Sequence, residues 1–503
     1  MSFVSLEFPA FVGLCLLVYA IVPQKWRWCV LLAASYGFYL VGGLPSVAVL
    51  LFTTLTTWLA GLLLGRLNEK KQKKYKKLLV AVTLLLNFGL LYCIKYLDFT
   101  LSAIGVQGVR FEWILPLGLS FYMFQSVGYV IDCYRGKGEV QKNPLKYALF
   151  TSFFPQMIQG PISRYRDLSP QLLAGKPLQA DDLRDGLQLI LWGYLKKMVL
   201  ADRAAVFVTG FFANADAYGG AVTAFTILMY CLNLYCDFSG GIDITRGVAQ
   251  LFGITLAENF RRPIFATSLT DYWRRWHITL GSWMRDYVFY PLSFSRPFAK
   301  LNKWARKKFG GKPGKIVATS AATFLVYLLI GLWHGANFRY IAFGFWNGSL
   351  ITASLLLNNV FHRLRTRFHI RKESKPWKLF SMARTAFLVF LGRYITRASR
   401  LLTAFSLMAR TFRPSTVHLH ELWSGVLLQM GLAWKDFAVL GAGTAVLLLV
   451  ETYQEYRGSV RLALSKKNAL VQWLAIVLPL LALVLLGIYR GSYIASEFIY
   501  RQY

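Results

Sequence analysis

The chain has 503 residues, of which 56% are hydrophobic and only 16% charged, against roughly 25% charged in soluble globular proteins. Lys and Arg outnumber Asp and Glu by 57 to 23, a net charge of +34. These values exclude a disordered chain, a disulfide scaffold and an ordinary soluble enzyme. Because the cations cluster between apolar runs, they read as loops of a multi-pass membrane protein and not as a nucleic-acid surface.

In chain order, the first charge-free run is Phe8 to Gln24. Glu7 is the only charge before Lys25, so the basic start of a cleaved signal peptide is missing and this run is expected to be a retained span. Trp28 to Gly65 is long enough for two spans, with the turn at Gly42, Gly43 and Pro45. Further runs are Leu78 to Ile94, Trp113 to Ile131, Ala217 to Cys236, Ile316 to Trp333, Tyr340 to Phe361 and Leu470 to Tyr489. The bilayer leaves backbone groups no water, so each is expected to be an α-helix. One poorly marked crossing near Thr385 to Met408 makes ten named spans, and about 11–12 are expected in all, in an all-α polytopic protein.

Two segments fit no simple crossing. Phe153 to Pro161 contains Pro155, Gly160 and Pro161, with cations at Lys142, Lys146, Arg164 and Arg166 around it. It predicts a re-entrant, broken helix, with Gln156 and Gln159 free to satisfy backbone or contact a donor. Ala257 to Leu292 is rich in both Trp and Arg and predicts an interfacial or re-entrant helix. Seven cations each lie within Arg66–Lys77, Lys300–Lys315 and Arg363–Lys378. The excess of cations on cytoplasmic loops places all three clusters inside and the N-terminus outside. There is no internal repeat, and residues 1–503 read as a single membrane domain.

The common nucleotide-binding, serine-hydrolase and zinc-protease motifs are absent, as is the H-x-x-x-x-D pattern of glycerolipid acyltransferases. The six cysteines form no C-x-x-C pair, and no His/Cys/Asp cluster has metal-ligand spacing, so no metal is expected. Among six histidines, His277 and His334 stand in apolar aromatic sequence, where a titratable group is a functional candidate by default. His334, in Gly331-Leu332-Trp333-His334-Gly335-Ala336-Asn337, joins two spans. It is either a general base, with the glycines leaving room for a reactant, or a turn histidine bonded to a carbonyl. On a continuous helix, Trp273, Trp276, His277, Leu280 and Met284 would share one face. Asp271 would pair with Arg274 and Arg275, which either hold an anionic donor or mark the interface.

Four blocks resemble the membrane-bound O-acyltransferase (MBOAT) family in its bacterial branch: Pro116–Phe121 running to Ile131–Gly136, Phe153–Tyr165, Asp237–Gly241 with Trp273–Leu292, and Leu332–Asn337. The ending Phe498-Ile499-Tyr500 is similar too. The match is best over 1–361 and looser over the C-terminal region, 362–503. The branch includes membrane subunits that acetylate alginate and proteins that transfer D-alanine to lipoteichoic acid. The resemblance implies spans around a tunnel, with His334 catalytic and His277 a second active-site histidine. It implies no bound cofactor but an acyl-CoA or acyl-carrier-protein donor, and a glycan or teichoic acid acceptor. It also implies a separate exported, hydrolase-like partner protein. Asn347 stands where some members have a histidine, so no third histidine role carries over.

The expected activity is transfer of an acyl group, an acetyl group above all, from a cytoplasmic thioester to hydroxyls of an exported glycan. Trp273, Arg274, Arg275, Trp276, Asn337, Pro155, Gln156, Gly160 and Pro161 are the expected tunnel or substrate residues. D-alanyl transfer is the alternative, and a non-catalytic transporter or flippase the rival class.

Overall fold

The computed structural model describes residues 3–106, 115–157 and 159–489. Every named element among them is helical, as expected where the solvent cannot satisfy backbone groups. The described residues divide into two compact units: those up to 202, 234–258 and 441–489 in the first, and 203–233 with 259–440 in the second.

The first unit opens with α1 (Glu7–Ile21), α2 (Arg27–Leu40), α3 (Leu44–Glu69) and α4 (Lys73–Lys95). The expected turn falls between α2 and α3. Gly43 there has φ 92°, a region that favours glycine, and Pro45 starts the next helix. The span expected from Trp113 is α5 (Leu119–Tyr134); Trp113 itself lies outside the described residues.

Helix α5 starts after Gly118 (φ 68°), where a Cβ would sit 1.8 Å from the Met157 carbonyl oxygen. Only glycine lets the two predicted blocks pack this closely. The proline-rich segment is broken as predicted. Helix α6 (Pro144–Ser152) ends at Phe153, one turn covers Phe154–Met157, and the backbone beyond Gly160 is non-helical until Tyr165. The Phe154 N–H donates to Ser35 Oγ at 3.1 Å, one of the bonds that holds the break.

Helix α7 (Ala180–Tyr194) continues as a π-helical stretch, Leu195–Ala201, and lies along α8 (Gly220–Leu251). Gly193 faces Gly240 and Gly186 faces Gly247. A Cβ on any of the four would fall within 3 Å of the opposing backbone, the close approach that small residues permit between membrane helices. One turn on, Lys197 Nζ bonds Asp237 at 2.7 Å and Asp202 at 2.8 Å, and Lys196 Nζ bonds Asp243 at 2.7 Å.

The second unit holds α9 (Leu269–Arg275), α10 (Ile278–Met284), α11 (Arg296–Phe309), α12 (Gly311–His334) and α13 (Phe338–Leu356). The predicted basic loop after Lys300 is mostly the helix α11. Helix α14 (Asn358–Arg367) turns 58° away from α13. The single crossing expected over Thr385 to Met408 is instead two helices, α15 (Lys375–Arg397) and α16 (Leu401–Phe412), parted at Ala398–Arg400.

Helix α17 (Trp434–Arg457) was not anticipated, because Asp436 and Glu451 shorten its charge-free run. Glu451 is buried and accepts the Tyr235 hydroxyl. The last described helix is α18 (Ala469–Leu486). Among the described residues, six helices have the length and apolarity to cross a membrane, seven if α13 and α14 form one span. The Phe498–Tyr500 ending lies outside the described residues.

Candidate active site

The two histidines come together in the second unit. His277 does not lie in a helix, contrary to the face predicted for it. Trp276 is extended, and His277 has φ 49° and ψ 52°, a left-handed conformation between α9 and α10. Such backbone in a non-glycine residue must be held by its surroundings.

The restraint is residues 259–261, which run antiparallel to the break. Arg261 N–H donates to Arg275 O at 2.8 Å, Ile278 N–H donates to Asn259 O at 3.0 Å, and Phe260 packs edge-on to Trp276. Asn259 is fully buried. Its Oδ1 accepts from Thr279 N at 3.0 Å and Thr279 Oγ1 at 2.9 Å, and lies 3.3 Å from His277 Nδ1. The Thr279 N–H can only donate, so the oxygen of the amide must face this way. His277 Nδ1 therefore carries the proton, and Nε2 holds the lone pair in the neutral ring. Asn259 was missed from sequence, because one asparagine inside a Trp/Arg-rich stretch carries no spacing signal.

His334 is the last residue of α12 and is half-buried. The Trp333 indole lies 5.0 Å from its ring and 5.6 Å from the His277 ring, so one aromatic plate touches both imidazoles. Gly331 and Gly335 do not leave room for a reactant. A Cβ on Gly331 would meet Tyr340 O at 2.4 Å, and one on Gly335 the Tyr340 ring at 2.6 Å. They let α12 and α13 close on each other. Asn337 Oδ1 accepts from Arg339 N at 3.0 Å and caps α13.

The break also redistributes the predicted face. Trp273, Arg274, His277, Leu280, Met284 and Tyr327 line a cleft of about 380 Å³. Trp276 turns away and stacks on Tyr272 at 5.6 Å. Arg393, also missed, is buried, donates to the Tyr272 hydroxyl at 2.7 Å and lies 5.2 Å from the Trp276 ring centre. Trp273 Nε1 donates to Asn347 Oδ1 at 3.1 Å, so Asn347 orients a wall of the cleft.

Of the two arginines expected to pair with Asp271, only Arg275 does so, at 3.2 Å. Arg274 is exposed at the cleft and makes no ion pair among the described residues. Apolar walls with an arginine at the opening suit a slender arm that carries an anionic head.

Pro155, Gln156, Gly160 and Pro161 belong to the first unit. A Cβ on Gly160 would meet Gln156 Cβ at 2.2 Å, so the glycine permits the break. Gln156 Oε1 accepts from Ser163 Oγ at 3.1 Å. Gln156 Nε2 and both polar side-chain atoms of Gln159 are buried without a partner among the described residues, a costly arrangement unless a ligand or water reaches them.

The family model described as MBOAT, membrane-bound O-acyltransferase family, matches residues 77–382. The chain is 31% identical to a probable alginate O-acetylase of Pseudomonas syringae pv. tomato, over 84% of this chain and 76% of that protein. It is 29% identical to a peptidoglycan O-acetyltransferase of Helicobacter pylori, over 76% and 73%. It is 28% identical to a teichoic acid D-alanyltransferase of Bacillus subtilis, over 56% and 68%.

Proposed function

The chain belongs to the membrane-bound O-acyltransferase family, and from that premise we propose that it transfers an acetyl group from a thioester to hydroxyls of an exported glycan. It is a multi-pass membrane acyltransferase. The acetyl reading is supported by the coverage of the relatives. Those named for O-acetylation match 84% and 76% of the chain, and those named for D-alanyl transfer 56% and 61%.

The observation that carries the reaction is the pair of imidazoles against Trp333 beside a cleft that reaches His277. His334 takes the proton of the acceptor hydroxyl. The oxygen bonds to the thioester carbonyl carbon, the C–S bond breaks, and the proton passes from the imidazolium to the departing thiolate. His277 orients the acceptor by accepting a hydrogen bond at Nε2, with Nδ1–H held by Asn259. The cleft takes the donor's arm and Arg274 its anionic portion.

The donor is acetyl-CoA or an acetylated carrier protein on the cytoplasmic side, to which the three basic clusters are assigned with the N-terminus outside. The membrane is the cytoplasmic one, and an exported partner protein works beside the chain on the polymer.

The test is transfer of labelled acetyl from donor to glycan in reconstituted membranes. His334→Ala should lose about 10²–10⁴-fold in rate, with His277→Ala also impaired. Near wild-type transfer by His334→Ala at equal membrane abundance would overturn the assignment.

A further inference from the structure

A cavity of about 710 Å³ in the second unit has no histidine in its lining. Its walls include Leu350, Ile351, Phe361, Ile370 and Leu388, and its rim carries Arg365, Lys372, Lys378 and Arg384 with one anion, Glu373. None of these five makes an ion pair among the described residues. Arg384 donates to the Thr267 carbonyl at 3.0 Å, and Arg365 is close enough to Arg384 for their charges to repel. Uncompensated cations above an apolar hollow suit an amphiphile with an anionic head.

Two amphiphiles fit that description: a phospholipid and a coenzyme-borne thioester. Thr270 lines both this cavity and the histidine cleft, which keeps coenzyme A as the competitor. The surface beside the rim decides between them. Val360, Phe361 and Leu364 on α14, with Leu357 and Phe368 flanking it, are exposed, an apolar stripe on a helix that also carries Arg363, Arg365 and Arg367. After its 58° turn from α13, this helix has the pattern of one lying in the plane of a membrane interface. A mouth flanked by exposed apolar side chains favours an acyl chain over a nucleotide, which such side chains cannot solvate.

We propose that the cavity between α9, α13, α14 and α15 is a binding site for an anionic phospholipid, with its phosphate on Arg365 and Arg384 and its upper acyl chain against Leu350, Ile351 and Phe361. This site is independent of acyl transfer.

The test is native mass spectrometry of the delipidated full-length protein offered phosphatidylglycerol, phosphatidylcholine, coenzyme A or inorganic phosphate. Phosphatidylglycerol should be retained in preference to phosphatidylcholine. Arg365→Gln with Arg384→Gln should reduce that preference by about fivefold for each cation removed. Leu350→Trp, which keeps every charge but fills the hollow, should also lower retention and serves as the second variant if the double substitution does not fold. Equal retention of the two lipids, retention unchanged in both variants, or displacement of phosphatidylglycerol by equimolar coenzyme A or phosphate would each overturn the proposal.

Discussion

Replacing Asn259 tests the link between the backbone clamp and the chemistry of His277. Asn259→Ala removes the acceptor of three donors: Thr279 N–H, the Thr279 hydroxyl and His277 Nδ1–H. Each buried donor left without a partner costs about 1–3 kcal/mol. The left-handed backbone at His277, worth about 1–2 kcal/mol of strain, loses a restraint as well. These effects overlap, so a loss of roughly 3–6 kcal/mol is expected, with transfer abolished.

Asn259→Asp separates fold from chemistry. The carboxylate keeps an acceptor oxygen near Nδ1, so most of the clamp survives. A negative charge there stabilises the imidazolium, and the neutral ring with a lone pair at Nε2 is populated only at higher pH. The acidic limb of the pH–rate profile should therefore move upward by about 1–3 pH units, with transfer recovering as pH rises. The assay is acetyl transfer against pH at matched membrane abundance, with thermal stability measured in parallel. An active Asp variant with an unshifted profile, or an Ala variant at wild-type rate, would refute the reasoning.

Arg274→Gln should raise KM for the donor about tenfold with little change in kcat, the loss of one charge-assisted contact. Arg275→Gln, which breaks the Asp271 pair, should instead lower stability and leave donor KM near its normal value. Gly118→Ala should reduce folded yield sharply, because its Cβ would press on the Met157 carbonyl and its backbone is left-handed, together about 3–5 kcal/mol. Normal yield and melting temperature would contradict that packing. Accessibility tags within Arg66–Lys77 and Lys300–Lys315 should be shielded in intact cells and exposed after permeabilisation. Labelling from outside would reverse the assigned sidedness.

What could be read from sequence was whatever local composition encodes. The turn at Gly42–Pro45, the broken proline segment and the isolated histidines all carry their signal within a few residues. The break at His277 does not, because Trp273, Leu280 and Met284 have helical spacing. What overrides that spacing is the clamp from Asn259 and Phe260, about 17 residues upstream. Helix α17 was hidden for a related reason. Glu451 looks like an interruption until Tyr235, far away in sequence, is seen to donate to it. Arg393 similarly reads as a loop charge, yet it is buried against Trp276 and bonded to the Tyr272 hydroxyl.

The seam between α7 and α8 has a mechanical consequence. Two glycine contacts seven residues apart and two lysine bonds just beyond them act like pins through a pair of beams. A slip of one helical turn, about 5.4 Å, would drive side chains into backbone at both glycine stations. The same slip would pull Lys196 off Asp243 and Lys197 off Asp237, at a cost of about 3–5 kcal/mol per broken buried pair. Thermal energy cannot drive such sliding at useful frequency. Pinned at four points, the two helices resist shear as a single rigid beam.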